Sequence, residues 1–272
     1  MSLIFSDFDQ NSEMSQKAIE AKRINGPDYW PTMQEVFAHD CETLPFPRFR
    51  LWASCWNVPL ITTGRVARFL GAAFDAAYKD PDISYALTEN WIGVPEGIEH
   101  QLKVADDFNT SMQRVQDVAH IVICGFTPEE IRNCKSIVEI GGGYGDMCSV
   151  IHDLGFKGKY TIYDFPEVQK IQNYYLTAQD INANFVSDPK DLEAADLVIA
   201  TWSLSEIPIE FRDTIMEKIV SSDKWLVMYQ QKIFGTIDNT DYFKKWFEYR
   251  NPVFMKHNVT DADGDNTYMV IK

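Results

Sequence analysis

The sequence predicts an α/β protein in which a mainly helical N-terminal region, residues 1–126, precedes a mostly parallel seven-stranded sheet, residues 127–272. Before Lys135 the sequence indicates helices and loops. After it, five short apolar runs alternate with amphipathic stretches: SIVEI, KYTIYD, NANFV, ADLVIAT and KWLVMYQ. Such alternation is typical of a parallel sheet with crossover helices. The last two runs, NPVFMKH and NTYMVIK, flank the turn-rich VTDADGD and predict an antiparallel hairpin at the C-terminus.

The helices of the N-terminal region are predicted from periodicity and capping signals. Between Thr62 and Tyr78 apolar residues recur at i, i+3 and i+4, which predicts a helix with one buried face. A looser pattern predicts a second helix from about Gly97 to Cys124. Thr127-Pro-Glu-Glu130 is a capping box with proline at the first helical position, so a short helix is expected there. The first two dozen residues show no clear pattern.

The composition restricts the kinds of partner. The formal charge of −15 repels phosphate backbones and anionic lipid headgroups, so we expect neither a nucleic acid nor a membrane as partner. The N-terminus does not resemble a signal peptide and no apolar stretch is long enough to span a membrane, which favours a cytoplasmic location. The five cysteines form no C-x-x-C pair, and the five histidines have no ligand spacing, so no metal site is expected.

A glycine-rich turn follows the first predicted strand, in Ser136-Ile-Val-Glu-Ile-Gly-Gly-Gly-Tyr-Gly-Asp146. Glycines permit positive φ and close approach of a ligand, and the next helix offers unpaired N–H groups. The spacing Gly141-x-Gly143-x-Gly145 differs from the G-x-G-x-x-G of dinucleotide sites. Asp164 ends the second predicted strand, where its carboxylate can accept the hydroxyls of a ribose. A tight turn without a ligand is the competing interpretation.

VEIGGGYG resembles the first motif of the class I S-adenosylmethionine-dependent methyltransferases. The resemblance covers the C-terminal half and implies a Rossmann-like domain that binds S-adenosylmethionine. It implies that Gly141 to Gly145 cradle the methionine portion, that Asp164 binds the ribose, and that the residues after the third strand flank the adenine. The cofactor-binding residues expected on this basis are Glu139, Gly141, Gly142, Gly143, Tyr144, Gly145, Asp164, Phe165, Ser187, Asp188, Thr201, Trp202 and Ser203.

Two further elements resemble the family of sugar O-methyltransferases. These are YDFPEV with the following IQNYYL, and ATWSLSEIP after the fourth strand. The plant-type O-methyltransferases share the D-x-P-x-V element and carry a catalytic histidine after strand four, where this chain has Trp202 and Ser203. The resemblance therefore implies methylation of a hydroxyl on a carbohydrate-containing small molecule, without that histidine.

The base for such a transfer has three candidates. Glu206 lies just past the fourth strand, at the sheet edge where ligands of open α/β sheets bind. Ser203-x-x-Glu206 is also a capping-box pattern, which is the competing interpretation. His257, at the end of the sixth predicted strand, and His100, in the helical region that we expect to act as a lid, are the others. For both, a solvent-facing histidine without function is the alternative.

Several functions stay open at this stage. The first is O-methylation of a sugar or of a glycosylated or nucleotide-linked small molecule. The others are methylation of a small aromatic or amine metabolite, S-adenosylmethionine binding without catalysis, and nucleotide-sugar oxidation with NAD, which the glycine spacing disfavours. The sequence does not define the acceptor or the oligomeric state, and it leaves a homodimer open.

Overall fold

The computed structural model describes residues 12–24, 29–52, 54–55, 67–97, 99–104, 107–233, 237–256 and 266–272. In the described part, everything before Lys135 consists of helices, short 3-10 turns, loops and one isolated β-bridge. The α-helices are α1 (Glu13–Ile24), α2 (Tyr29–Thr43), α3 (Ala67–Lys79), α4 (Met112–Ile123) and α5 (Pro128–Arg132). The 3-10 turns are Phe46–Leu51, Ser84–Leu87 and Glu99–Gln101.

The predicted helix starts are only partly confirmed. The capping box at Thr127 is present, with both reciprocal hydrogen bonds to Glu130. The predicted helix over 62–78 appears as α3, although 62–66 lie outside the described residues. The expectation of an unpatterned N-terminus is wrong over residues 13–24, where α1 packs against α2.

The predicted start of the second helix, near Gly97, is also wrong, because α4 begins only at Met112. Ser111 is its N-cap and accepts a hydrogen bond from the Arg114 N–H. Just before α4, the Asn109 side chain accepts a hydrogen bond from the Trp91 indole and donates one to the Glu89 carbonyl. These long-range hydrogen bonds hold Asn109 against the loop at Glu89–Trp91, outside any helix.

The sheet confirms the predicted Rossmann-like fold. Its strands are β1 (Ser136–Ile140), β2 (Lys159–Tyr163), β3 (Asn184–Val186), β4 (Leu197–Thr201), β5 (Lys224–Gln230), β8 (Val253–Lys256) and β9 (Asn266–Ile271). They lie in the order β3-β2-β1-β4-β5-β9-β8. The first five strands are parallel, and β9 is antiparallel to both β5 and β8. A separate two-stranded ribbon, β6 (Lys232–Ile233) and β7 (Ile237–Asp238), was not predicted.

Helices cover both faces of the sheet. They are α6 (Asp146–Asp153), α7 (Pro166–Thr177), α8 (Ser203–Glu206), α9 (Ile209–Ile219) and α10 (Asn239–Trp246). On β1, Ile137 packs into a core shared with α6, α7 and the N-terminal helices, whereas Val138 and Ile140 pack into a second core with α9 and α10. The first core is therefore continuous across the proposed boundary at residue 126. No helix in the described part of the chain is long and apolar enough to cross a membrane.

Candidate functional site

The carboxyl ends of β1, β2, β3 and β4 lie at one edge of the sheet, because these strands run parallel. The glycine loop follows β1, Asp164 follows β2, Ser187 and Asp188 follow β3, and Trp202 follows β4. Open α/β sheets bind their ligands at this edge. The fold therefore brings the predicted cofactor segments together.

The glycine loop requires glycine at alternate positions. Gly141, Gly143 and Gly145 have φ of 71°, 55° and 104°, the left-handed region that other residues rarely adopt. The Gly141 N–H donates to the Tyr163 carbonyl at 2.8 Å, and Gly145 is the N-cap of α6. The loop thus runs along the edge of the sheet and ends at a helix N-terminus, which favours anionic ligand groups.

Close packing holds the same loop against β2 and the β4 end. A Cβ on Gly141 would lie 2.3 Å from the Ser203 Cβ, and one on Gly142 would lie 2.8 Å from the Ile162 Cγ2. The Ser203 hydroxyl donates to the Ile140 carbonyl. Ser203 therefore acts as a brace between the first and fourth strands.

Asp164 has the environment expected of a ligand-binding carboxylate. Its Oδ1 accepts the Phe165 N–H at 2.8 Å and its Oδ2 accepts the Gln172 Nε2 at 2.7 Å. Burial raises the pKa of Asp164 to about 7, although these donors and the Gly142 N–H lower it. A carboxylate accepts about four hydrogen bonds, so with these three donors about one acceptor position remains for a ligand.

Gln172 of α7 is a site residue that the sequence analysis missed. Its amide is fully buried and donates both to Asp164 and, at 3.0 Å, to the Gly143 carbonyl. It therefore links the glycine loop to the predicted ribose carboxylate. The sequence feature that could have revealed it is a polar residue beside Ile171 on the buried face of the helix.

Glu139 is buried beneath the loop and not at its surface. It is 2 % exposed and accepts a hydrogen bond from the Tyr160 hydroxyl at 2.8 Å. Burial raises its pKa to about 8, with Asp164 and Asp146 contributing and the Tyr160 bond opposing. The carboxyl is therefore largely protonated at neutral pH. Direct contact between Glu139 and a cofactor stays a prediction.

The Tyr144 ring is buried in the protein core. It lies 4.9 Å from the Tyr175 ring and 5.6 Å from the Phe49 ring, and the Arg50 guanidinium stacks over it at 4.6 Å. Core packing accounts for this side chain, and contact of Tyr144 with a cofactor stays a prediction.

The residues at the ends of β3 and β4 lie where they were predicted. Ser187 and Asp188 are exposed, and the Asp188 carboxylate caps the turn Pro189–Asp191 by accepting the Lys190 N–H at 2.9 Å. Thr201 is partly exposed at the end of β4. Contact of Ser187 and Asp188 with adenine, and of Thr201 with a cofactor, stays a prediction.

Trp202 has a strained backbone at the same edge. Its φ is 65°, which is uncommon for a residue with a bulky side chain. Its indole donates to Asn266 at 3.2 Å and packs against the ring of His120, whose Nδ1 lies 2.6 Å from the Tyr268 hydroxyl. Strain of this kind persists where surrounding contacts hold it, and it is concentrated at functional sites. His120, of α4, was not predicted to reach this edge.

Glu206 ends α8. It is partly exposed, and burial raises its pKa to about 7. The competing capping-box interpretation is wrong, because Trp202 is the N-cap of α8 and the Ser203 hydroxyl donates to the Ile140 carbonyl. The next helix, α9, has Pro208 as its N-cap, and no side chain accepts a capping hydrogen bond there.

The two histidine candidates differ in what the structure says of them. His100 is exposed, and its Nδ1 lies 3.1 Å from the Gly97 carbonyl. None of its contacts among the described residues reaches the strand edge. His257 lies outside the described residues.

Arg114 of α4 connects the helical region to the start of α6. It is 1 % exposed. Its Nη1 donates to Asp146 and Ser149, both at 3.0 Å, and its Nη2 to Asp153, while its Nε donates to the Ala86 carbonyl at 2.7 Å. The buried guanidinium thus fixes the first turn of the helix that follows the glycine loop.

Comparisons with known proteins give only distant structural likenesses. No family model and no curated protein matches the chain. The solved mitomycin 7-O-methyltransferase is 14 % identical with a TM-score of 0.42, over 84 % of this chain and 73 % of that one. The methyltransferase domain of bacterial CtHen1 is 12 % identical with a TM-score of 0.41, over 52 % and 91 %. A Pyrococcus horikoshii protein is 11 % identical with a TM-score of 0.44, over 59 % and 89 %. At this level of similarity the comparisons assign neither a cofactor nor an acceptor to this chain.

Proposed function

We propose that this chain is an S-adenosylmethionine-dependent methyltransferase that acts on a hydroxyl of a sugar or of a glycosylated or nucleotide-linked small molecule. One observation carries the proposal: a positive-φ glycine loop lies beside Asp164, which keeps about one open acceptor position, at the carboxyl edge of a parallel sheet. Gly141 to Gly145 would hold the methionine portion, Asp164 the ribose, and Ser187 with Asp188 the adenine.

Glu206 is the proposed base. Bound S-adenosylmethionine supplies an electrophilic methyl group on a positively charged sulfur. Glu206 takes the proton of the acceptor hydroxyl and returns it to solvent after the transfer. A pKa of about 7 suits this role, because a general base is most effective when its pKa lies near the working pH.

The class of acceptor rests on the sequence elements YDFPEV and ATWSLSEIP, which resemble those of the sugar O-methyltransferases. The net charge of −15 is consistent with a small acceptor and disfavours a nucleic acid. Methylation of a small aromatic or amine metabolite, and cofactor binding without turnover, are the alternatives that the experiment separates.

The test has two stages. Calorimetry and thermal melting with S-adenosylhomocysteine, and with NAD as the matched control, establish the cofactor, since a ligand that binds the native state raises its melting temperature. Incubation with methyl-labelled S-adenosylmethionine and panels of nucleotide sugars, methyl glycosides, phenols and amines then identifies the acceptor class. Stabilisation by NAD alone would refute the proposal, and labelling confined to phenols or amines would refute its sugar part.

A further inference from the structure

The start of α2 carries two adjacent aromatic residues to which the sequence analysis gave no role. Tyr29 and Trp30, here called the Tyr29–Trp30 pair, are both partly exposed. Their rings pack edge to face with centroids 5.0 Å apart. Aromatic pairs in this geometry attract each other beyond their area of contact, so each ring helps to fix the other.

The Trp30 ring lies beside the residue that follows the predicted ribose carboxylate. Its centroid is 6.0 Å from that of Phe165, the residue that follows Asp164 at the end of β2. Phe165 is also partly exposed. A second contact fixes α2 here, because the Cys41 thiol donates to the Glu167 carbonyl in the first turn of α7 at 3.5 Å. The N-terminal region therefore reaches the nucleoside side of the proposed cleft.

Tyr29, which packs on Trp30, also lies within electrostatic reach of Glu206. Burial and, second, the negative charge of Glu206 raise the pKa of the Tyr29 phenol, so the two groups lie near each other. Phe165 follows β2 and Glu206 follows β4, and these strands flank β1 on its two sides. The Tyr29–Trp30 pair therefore extends across the end of β1, where the glycine loop lies.

We propose that the Tyr29–Trp30 pair forms a wall of the cofactor cleft, in which Trp30 and Phe165 contact the adenine nucleoside and Tyr29 holds Trp30 in place. This inference rests on the proposed function. It gives the helical region a direct part in cofactor binding, and it assigns Trp30 to an adenine nucleoside and not to the acceptor. Tyr29 is a positioning residue that closes the cleft on the side of Glu206.

Calorimetry with S-adenosylhomocysteine and with adenosine tests this assignment. Trp30→Ala is expected to weaken both ligands by a similar factor, at least about fivefold, because a stacked ring on a base is lost. Trp246→Ala, on α10 in the other core, is the matched control and should leave both affinities unchanged. Tyr29→Ala should also weaken binding, whereas Tyr29→Phe, which keeps the ring, should restore it.

Tryptophan fluorescence gives an independent readout with milder variants. Quenching of emission by S-adenosylhomocysteine is expected in the wild type and in Trp246→Phe, and it should be clearly smaller in Trp30→Phe, where Trp202 at the same edge remains. Wild-type protein that does not bind S-adenosylhomocysteine would overturn the proposed function and this inference together. Wild-type binding combined with unchanged affinity in Trp30→Ala, or with full quenching in Trp30→Phe, would overturn the inference alone.

Discussion

If Asp164 binds the ribose as proposed, its titration makes cofactor affinity depend on pH by an amount that can be calculated. Ribose hydroxyls donate hydrogen bonds, so the ligand prefers the ionised carboxylate. The pKa of Asp164 is raised to about 7 in the ligand-free protein. At pH 6 only about a tenth of the molecules then carry the charge, and affinity should be about tenfold below its plateau at alkaline pH. S-adenosylhomocysteine affinity is therefore expected to rise from pH 6 to 8 and then level off.

Asp164→Asn separates this effect from the other acids near the loop. The variant cannot ionise, so most of the pH dependence should disappear. At pH 8 it should bind roughly 10- to 100-fold more weakly, since hydrogen bonds to charged groups contribute about 1.5 to 3 kcal/mol each. Calorimetry at pH 6, 7 and 8 for both proteins is the assay. A wild-type profile that is flat over this range, or an equal slope in the variant, would refute the assignment of Asp164 to the ribose.

Three further outcomes follow from the contacts at this edge. Gly141→Ala should abolish S-adenosylhomocysteine binding and lower the free energy of unfolding, measured in urea, by roughly 2 to 5 kcal/mol. The reason is that the added Cβ would lie 2.3 Å from the Ser203 Cβ at a residue with positive φ. Full binding by this variant would contradict the prediction. Glu206→Gln should reduce single-turnover rates by about 10²- to 10⁴-fold with cofactor affinity and melting temperature nearly unchanged, and a normal rate would eliminate Glu206 as the base. Arg114→Met should lower the free energy of unfolding by about 3 to 5 kcal/mol, because it leaves the buried Asp146 carboxylate without its ion-pair partner. Lys159→Met, which breaks the exposed pair with Glu193, is the control and should lower it by less than about 1 kcal/mol. Equal losses would show that the buried pair contributes no more to stability than the exposed one.

Local patterns were sufficient to predict the sheet and the loop. Strands β1, β4 and β5 are short apolar runs buried on both faces, and such runs stand out in the sequence. The positions of Gly141, Gly143 and Gly145 follow from backbone conformation alone, so the motif carries its own physical reason. Asp164 was predictable because the end of a parallel strand fixes which edge a residue reaches.

Contacts between distant segments were not predictable in this way. Gln172 and His120 lie on helices, and their partners depend on how those helices pack on the sheet. The prediction that α4 begins near Gly97 was wrong for a related reason. Helical periodicity is judged from the apolar residues alone, so it does not reveal that the Asn109 side chain bonds Trp91 in another loop. A matching sequence pattern can also mislead. Ser203 and Glu206 fit the capping-box pattern, but the Ser203 hydroxyl donates to the Ile140 carbonyl at the end of β1 instead.

The glycine loop is held in place by helices on either side of it as well as by its own sequence. Asp146, directly after the loop, accepts hydrogen bonds from Arg114 of α4 and from the Tyr175 hydroxyl of α7 at 2.7 Å. Gln172 of α7 bonds the Gly143 carbonyl within the loop. Because these partners are buried, water cannot replace them without cost, and the loop keeps its shape before any ligand arrives. A substitution in α4 that leaves every loop residue intact is therefore expected to weaken cofactor binding, since the ligand would then have to order the loop itself.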